Sequence, residues 1–280
     1  MQQRGDYMNT EIAVINTNRV QSEITELIKK RTISCRSIDD FNEKSIKDVL
    51  EDSKKIVLPF PSTRSNIPFL KSIDGVKDYF SREQTIIGGM LSGEIKSALD
   101  EEKIRYYDYF ENEAYVLKNA LLTSQGAVRL LLENTNEYLV GKKVLITGYG
   151  RIGESLARLL KSLGMKVFVA VRREESAVEA LSSGIDSFSF KAVKGTLFYY
   201  DYIFNTVPFN IFDEKDVSHI KDSTTYFELA SVPFGADKND FTEHGKRYIH
   251  GGALPGRYYP GAVAQNIADF IFSVVGDTHE

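Results

Sequence analysis

At 280 residues, 42% of them hydrophobic and 26% charged, the chain has the make-up of a soluble globular protein with room for two moderate domains. A net charge of -4 excludes the global basic excess that nucleic-acid binders use. The single cysteine, Cys35, excludes an internal disulfide and a cysteine-rich zinc site and reads as a small buried hydrophobe. The absence of an apolar leader or a membrane-length apolar run predicts a cytoplasmic protein without a membrane partner.

In chain order, Glu11 to Ile15 reads as a short strand and Val20 to Lys30 as an amphipathic helix. Ser45 to Leu50 reads as a second helix and Lys55 to Pro59 as a strand, after which Pro59, Pro61 and Pro68 hold open a loop around Ser62, Thr63 and Arg64. That loop lies past a strand end, where ligands bind in open α/β sheets. Gln84 to Ile87, closed by Gly88 and Gly89, reads as another strand, and Ile95 to Glu101 as a helix. A long helical stretch over 112–134 connects this small α/β layer to the second half.

The second half opens on Gly-Lys-Lys-Val-Leu-Ile-Thr-Gly-Tyr-Gly-Arg-Ile-Gly, residues 141–153, in which a strand over Lys143 to Ile146 meets G-x-G-x-x-G and a helix over Ser155 to Leu163. Gly148 suits the tight turn, Gly150 lets backbone approach a pyrophosphate, and Gly153 lets helix pack on strand. Gly148, Tyr149, Gly150, Arg151 and Ile152 are therefore candidate cofactor contacts, with the helix N-terminus offering N–H groups and a positive dipole end. The β-α alternation continues through Val167 to Val171, a helix near Ala177 to Ser182, and strands at Tyr202 to Asn205, Thr225 to Leu229 and Tyr248 to His250. Residues 262–275 read as a last helix that returns to the first domain. The fold class is α/β with two Rossmann-like domains. One domain comprises residues 1–118 and 262–280 and carries the substrate and catalytic side; the other, residues 119–261, binds the dinucleotide.

NAD sites place an acid about twenty positions after the first glycine, whereas NADP sites place arginine there. Val171 runs into Arg172 and Arg173, whose guanidinium groups suit a 2'-phosphate, so NADP is favoured. Two alternatives stay open: a solvated arginine pair beside Glu174 and Glu175, and NAD held through Glu174. Asn205, Thr206, Val207 and Pro208 close the next strand and are expected at the cofactor, as is Ser231, with Pro233 and Gly235 nearby. Thr123 and Ser124 suit either a ligand or back-bonding within their helix. His250, at a strand end, is a candidate acid or base or a structural histidine. No spacing of His219, His244 and His279 suggests a metal site, and the catalytic residue is not identified.

Four ordered segments resemble the dipicolinate synthase A-subunit family of spore-forming bacteria. Asn119-Ala-Leu-Leu-Thr-Ser-Gln-Gly126 is similar to that family's segment leading into the fingerprint. Asp201-Tyr-Ile-Phe-Asn-Thr-Val-Pro208 is similar to its Asn-Thr-Val-Pro strand end. Glu228-Leu-Ala-Ser-Val-Pro-Phe-Gly235 and Gly251-Gly-Ala-Leu-Pro-Gly-Arg-Tyr-Tyr-Pro-Gly261 are similar to its Asp-Leu-Ala-Ser-x-Pro-Gly-Gly and Gly-Leu-Pro-Gly segments. The likeness spans about residues 112–272, with departures at Gln125 for an acid, Phe234 for a glycine and Gly261 for a common lysine. The resemblance implies oxidation of dihydrodipicolinate to dipicolinate with NADP+, a small dicarboxylate substrate and a second, flavoprotein subunit. Assembly into a homo-oligomer is also expected. Ser62, Thr63, Arg64 and Arg257 are the expected carboxylate binders, since arginine grips planar carboxylates bidentately. A dehydrogenase for a related hydroxy or amino acid, and a non-catalytic NADP(H)-binding protein, are the alternatives.

Overall fold

The structure is a computed structural model and describes residues 12–31, 34–39, 43–60 and 73–276. Two compact units divide it, one formed by residues 1–118 and 259–280, the other by 119–258. Ser62, Thr63 and Arg64 lie outside the described residues.

In the first unit, strands β1 (Ile12–Ile15), β2 (Cys35–Ile38), β3 (Lys55–Val57), β4 (Thr85–Gly88) and β5 (Arg105–Asp108) form a parallel sheet in the order β2-β1-β3-β4-β5. Helices α1 (Arg19–Lys29), α2 (Glu43–Glu51), α3 (Ile73–Tyr79) and α4 (Gly93–Glu101) alternate with them. Asn18 starts α1 because its side chain accepts the N–H groups of Val20 and Gln21, and Ser92 caps α4 in the same way through Ile95. β1, β3 and β4 are buried on both faces and read as apolar runs, whereas the edge strands β2 and β5 carry Arg36, Ser37, Arg105 and Tyr106. Those two edge strands were not expected, because one-sided burial leaves no apolar run to detect.

Helix α5 (Glu113–Glu133) leads into the second unit. There β6 (Lys143–Thr147), α6 (Arg151–Ser162), β7 (Lys166–Val171), α7 (Glu174–Ser182), β8 (Asp186–Ser189) and α8 (Phe190–Lys194) are followed by β9 (Tyr202–Asn205), α9 (Glu214–Ser218), β10 (Thr225–Glu228), α10 (Lys238–Glu243), β11 (Arg247–His250) and α11 (Leu254–Tyr258). The sheet is parallel, in the order β11-β10-β9-β6-β7-β8. Period-two alternation sends Val144 and Ile146 to a core shared with α5 and α6, and Leu145 to a second core with Ile203, Tyr226 and Phe241. The helix after β6 begins four residues earlier than its apolar pattern suggested, at Arg151, since helix starts follow the turn geometry rather than the apolar face. Helix α12 (Pro260–Gly276) belongs to the first unit and packs on α1, with the Arg31 guanidinium 4.6 Å from the Phe272 ring centre.

Strand order reverses between β6 and β9, so their carboxyl ends diverge into the crevice where doubly wound sheets bind ligands. No described helix is long and apolar enough to cross a membrane.

Candidate functional site

The floor of the crevice is the turn from β6 to α6. Gly148 has φ +91°, a left-handed conformation that disfavours a side chain, and its N–H donates to Ala170 O at 2.7 Å, anchoring the turn to β7. A Cβ on Gly148 would lie 2.7 Å from Thr206 Oγ1 and 2.7 Å from Val207 Cγ1, so the glycine lets the end of β9 close on the turn. Gly153 sits directly over Gly148, and a Cβ there would lie 2.3 Å from Gly148 O. Gly150 is different: it begins α6 without a side-chain cap, and a Cβ on it would meet nothing within 4 Å. A helix N-terminus with open space over its first residue is the arrangement a pyrophosphate requires, so these residues fit a dinucleotide.

The other candidates distribute unevenly. Arg172 and Arg173 are exposed where β7 ends, and neither makes an ion pair with Glu174 or Glu175. Thr206 and Val207 border the turn, Thr206 donating its hydroxyl to Thr147 O at 2.7 Å, while Pro208 and Ser231 are exposed at the same edge. Arg151 and Ile152 form the first turn of α6. Tyr149 enters only through its backbone: its side chain is 5% exposed, packed in the core with Leu130 and Leu254, and its hydroxyl lacks a hydrogen-bond partner among the described residues.

Asn205 needs a correction. Its side chain is fully buried and its hydrogen-bonding groups are taken: it accepts from Thr147 Oγ1 at 2.5 Å and Val207 N at 3.2 Å, and donates to Val207 O at 3.0 Å and Glu228 Oε1 at 2.6 Å. It shapes the crevice from beneath rather than touching a ligand. Arg257 also departs from expectation. It lies in α11 with Nη2 4.0 Å from Glu133 Oε2, and Glu133 belongs to the last turn of α5, among Tyr202, Thr225 and Arg247 where strands begin. Within the second unit, Arg257 is therefore not brought to the crevice. Thr123 and Ser124 back-bond to Asn119 O and Ala120 O, each at 2.8 Å, and Ser124 also donates to Ile152 O at 3.3 Å.

Two residues were not singled out from the sequence: Thr147 and Glu228, the last residues of β6 and β10. Glu228 is fully buried and accepts from Asn205 Nδ2, Tyr226 Oη, Ala230 N and Gly235 N over 2.6–3.1 Å. Burial raises its pKa above the usual carboxylate range, against the pull of those donors. A polar residue ending an otherwise apolar strand was the signal available. Phe234, in place of a family glycine, is accommodated because it is Gly235 that is enclosed: a Cβ on Gly235 would lie 2.5 Å from Asn205 Cγ. The Phe234 ring instead meets His250 at 5.4 Å between centroids. Among the described residues no cluster of His, Cys, Asp and Glu forms a metal site.

Residues 125–226 match the family model of the D-isomer specific 2-hydroxyacid dehydrogenase NAD-binding domain. That match and the glycine turn together mark this part of the chain as a nicotinamide-dinucleotide-binding domain of the dehydrogenase type. The chain is 24% identical over 192 residues, 69% of its length, to the dipicolinate synthase A-subunit of Bacillus subtilis strain 168. The crystal structure of the dipicolinate synthase A-subunit from Bacillus halodurans has the same fold, with a TM-score of 0.82 at 18% identity over 97% of this chain and 99% of that one. The chain is thus similar to dipicolinate synthase A-subunits in sequence over 69% of its length and in fold over 97% of it. The adenosylhomocysteinase of Sulfolobus acidocaldarius is 33% identical over 109 residues, 36% of this chain. The alignments span 65% of the Bacillus subtilis protein and 26% of the Sulfolobus one, less than two thirds of each.

Proposed function

We propose that the chain is an NADP-dependent oxidoreductase that converts dihydrodipicolinate to dipicolinate, acting as a homo-oligomer together with a second, flavoprotein subunit. The observation that carries the cofactor assignment is the uncapped, open turn at Gly150 beside two exposed arginines at the end of β7 that pair with no described residue. When bound, the dinucleotide supplies the hydride acceptor. The N–H groups at the start of α6 would hold the pyrophosphate and Arg172 and Arg173 the 2'-phosphate, with Thr206 and Val207 against the glycine turn and Pro208 and Ser231 exposed at the crevice edge. The substrate loses one hydrogen as hydride and one as a proton, and the ring becomes aromatic. Aromatisation drives the step, so the protein's task is placement of the ring and acceptance of the proton. Ser62, Thr63 and Arg64, which follow β3 in the sequence, are assigned to the substrate carboxylates.

Purified chain supplied with the flavoprotein, fresh dihydrodipicolinate precursor and NADP+ is expected to form an ultraviolet absorber with the dipicolinate spectrum. Absence of product with the partner present overturns the substrate assignment. Calorimetry is expected to show tighter binding of NADPH than NADH; equal affinities remove the NADP assignment.

A second reading, a dehydrogenase for a related hydroxy or amino acid, is favoured by one feature. Gly261 opens α12, and a Cβ there would lie 3.0 Å from Glu23 Oε2, so a carboxylate stands beside the position where the family commonly has lysine. Glu23 is itself paired with Arg19 at 2.9 Å, so the feature that bears on the substrate is that Gly261 leaves this position without a cation for a second carboxylate. Turnover of an amino acid with no turnover of dihydrodipicolinate would decide for it.

A further inference from the structure

We propose that Glu228 is a positioning residue that holds the cofactor crevice in its binding shape before any ligand arrives, an assignment that rests on the dinucleotide reading above. Thr147, Asn205 and Glu228 end three neighbouring strands and are register partners, Thr147 with Asn205 and Asn205 with Glu228, so their side chains line up on one face of the sheet. All three are fully buried. They form one chain of hydrogen bonds, from Thr147 Oγ1 to Asn205 Oδ1 at 2.5 Å and from Asn205 Nδ2 to Glu228 Oε1 at 2.6 Å.

The chain grips the loops that border the crevice. Asn205 holds the loop after β9 by bonding both the N–H and the C=O of Val207, and Val207 is the residue pressed against Gly148. Glu228 Oε1 also takes Ala230 N at 3.0 Å, and Oε2 takes Gly235 N at 2.8 Å and Tyr226 Oη at 3.1 Å, pinning both ends of the loop after β10. The two backbone amides and the Asn205 NH2 can only donate, and the Tyr226 hydroxyl alone can reverse its role. A carboxylate therefore satisfies all four partners at once. A carboxamide has one acceptor oxygen, so whichever way it turns its NH2 faces a backbone N–H that loses its acceptor. Among the described residues no ion pair compensates the charge, so the backbone amides and Asn205 carry its solvation. A fixed, fully satisfied polar network of this kind specifies a single arrangement of the backbone around it.

The test compares Glu228→Gln, isosteric but lacking one acceptor atom, with Glu228→Asp, which retains the carboxylate. NADPH dissociation constants are measured at a temperature where thermal melts show each variant folded. Glu228→Gln is expected to weaken NADPH binding about tenfold or more, the scale of losing hydrogen bonds to a charged group, and Glu228→Asp is expected to recover most of that loss. A folded Glu228→Gln with a lowered melting temperature and an unchanged dissociation constant overturns the proposal and leaves the cofactor assignment standing. Wild-type protein that binds neither NADPH nor NADH overturns both. Should Glu228→Gln fail to fold, amide exchange in the wild-type protein without cofactor decides: the Ala230 and Gly235 amides are expected to exchange as slowly as those of β10, and exchange at loop rates overturns the proposal.

Discussion

Gly153 is pressed onto Gly148: a Cβ on Gly153 would stand 2.3 Å from the Gly148 carbonyl oxygen, well inside any van der Waals contact. Gly150 and Gly153 thus serve one turn for opposite reasons, the second because space is absent and the first because space is present.

Gly153→Ala is accordingly expected to force helix and strand apart, lowering stability by about 1–3 kcal/mol and abolishing measurable dinucleotide binding. Gly150→Ala meets nothing in the protein, so its melting temperature should stay near wild type, with about a few tenths of a kcal/mol lost at the cap. Its methyl group nevertheless occupies the space a pyrophosphate would approach. Thermal melts and calorimetry on the pair check the split between folding and binding.

Arg172→Ala should leave stability within about 0.5 kcal/mol, since the side chain is exposed and makes no hydrogen bond or ion pair among the described residues. NADPH binding is expected to weaken by about 1–3 kcal/mol and NADH binding to remain the same. Titration with both nucleotides checks this, and an unchanged NADPH constant contradicts the role given to Arg172.

Glu228 predicts a pH dependence of stability. Burial raises its folded-state pKa above the unfolded value near 4.5, so the folded protein binds the proton more tightly than the unfolded chain does. The stabilisation is fully present below the unfolded pKa and is lost as pH rises through the raised folded value. Denaturant unfolding at a series of pH values checks it through the difference in stability between wild type and Glu228→Gln, which should slope downward with rising pH because the other carboxylates contribute equally to both proteins.

Cys35 should react sluggishly. Burial raises its thiol pKa from 9.0 to about 11, with Lys29 opposing and Glu26 adding to the rise. The thiolate fraction at pH 8 then falls about a hundredfold below that of an ordinary thiol, and alkylation should slow by a similar factor. Timed mass spectrometry with iodoacetamide, using a small thiol as reference, measures it.

The interior strands β1, β3, β4, β6, β7, β9 and β10 were legible because burial on both faces writes a local apolar run. β2, β5 and β8 were not: DSFS in β8 or RYYD in β5 draws its strand character from a neighbour, whereas β11, also a sheet edge, was legible through its own Tyr248 and Ile249. The same distinction governs the site. Gly148, Gly150 and Gly153 act through backbone conformation and the absence of a Cβ, which are properties of a residue and its immediate neighbours.

Asn205 and Arg257 carried ligand-binding chemistry on paper, yet burial gave Asn205 to Glu228, and α11 sets Arg257 beside the last turn of α5, with Glu133 4.0 Å away. The sequence by itself determined two parallel α/β layers, the turn that faces the dinucleotide and the arginines beside it. Only the tertiary structure decided which polar side chains remain available to a ligand, because a hydrogen-bond partner is chosen by strands and helices that meet from distant parts of the chain.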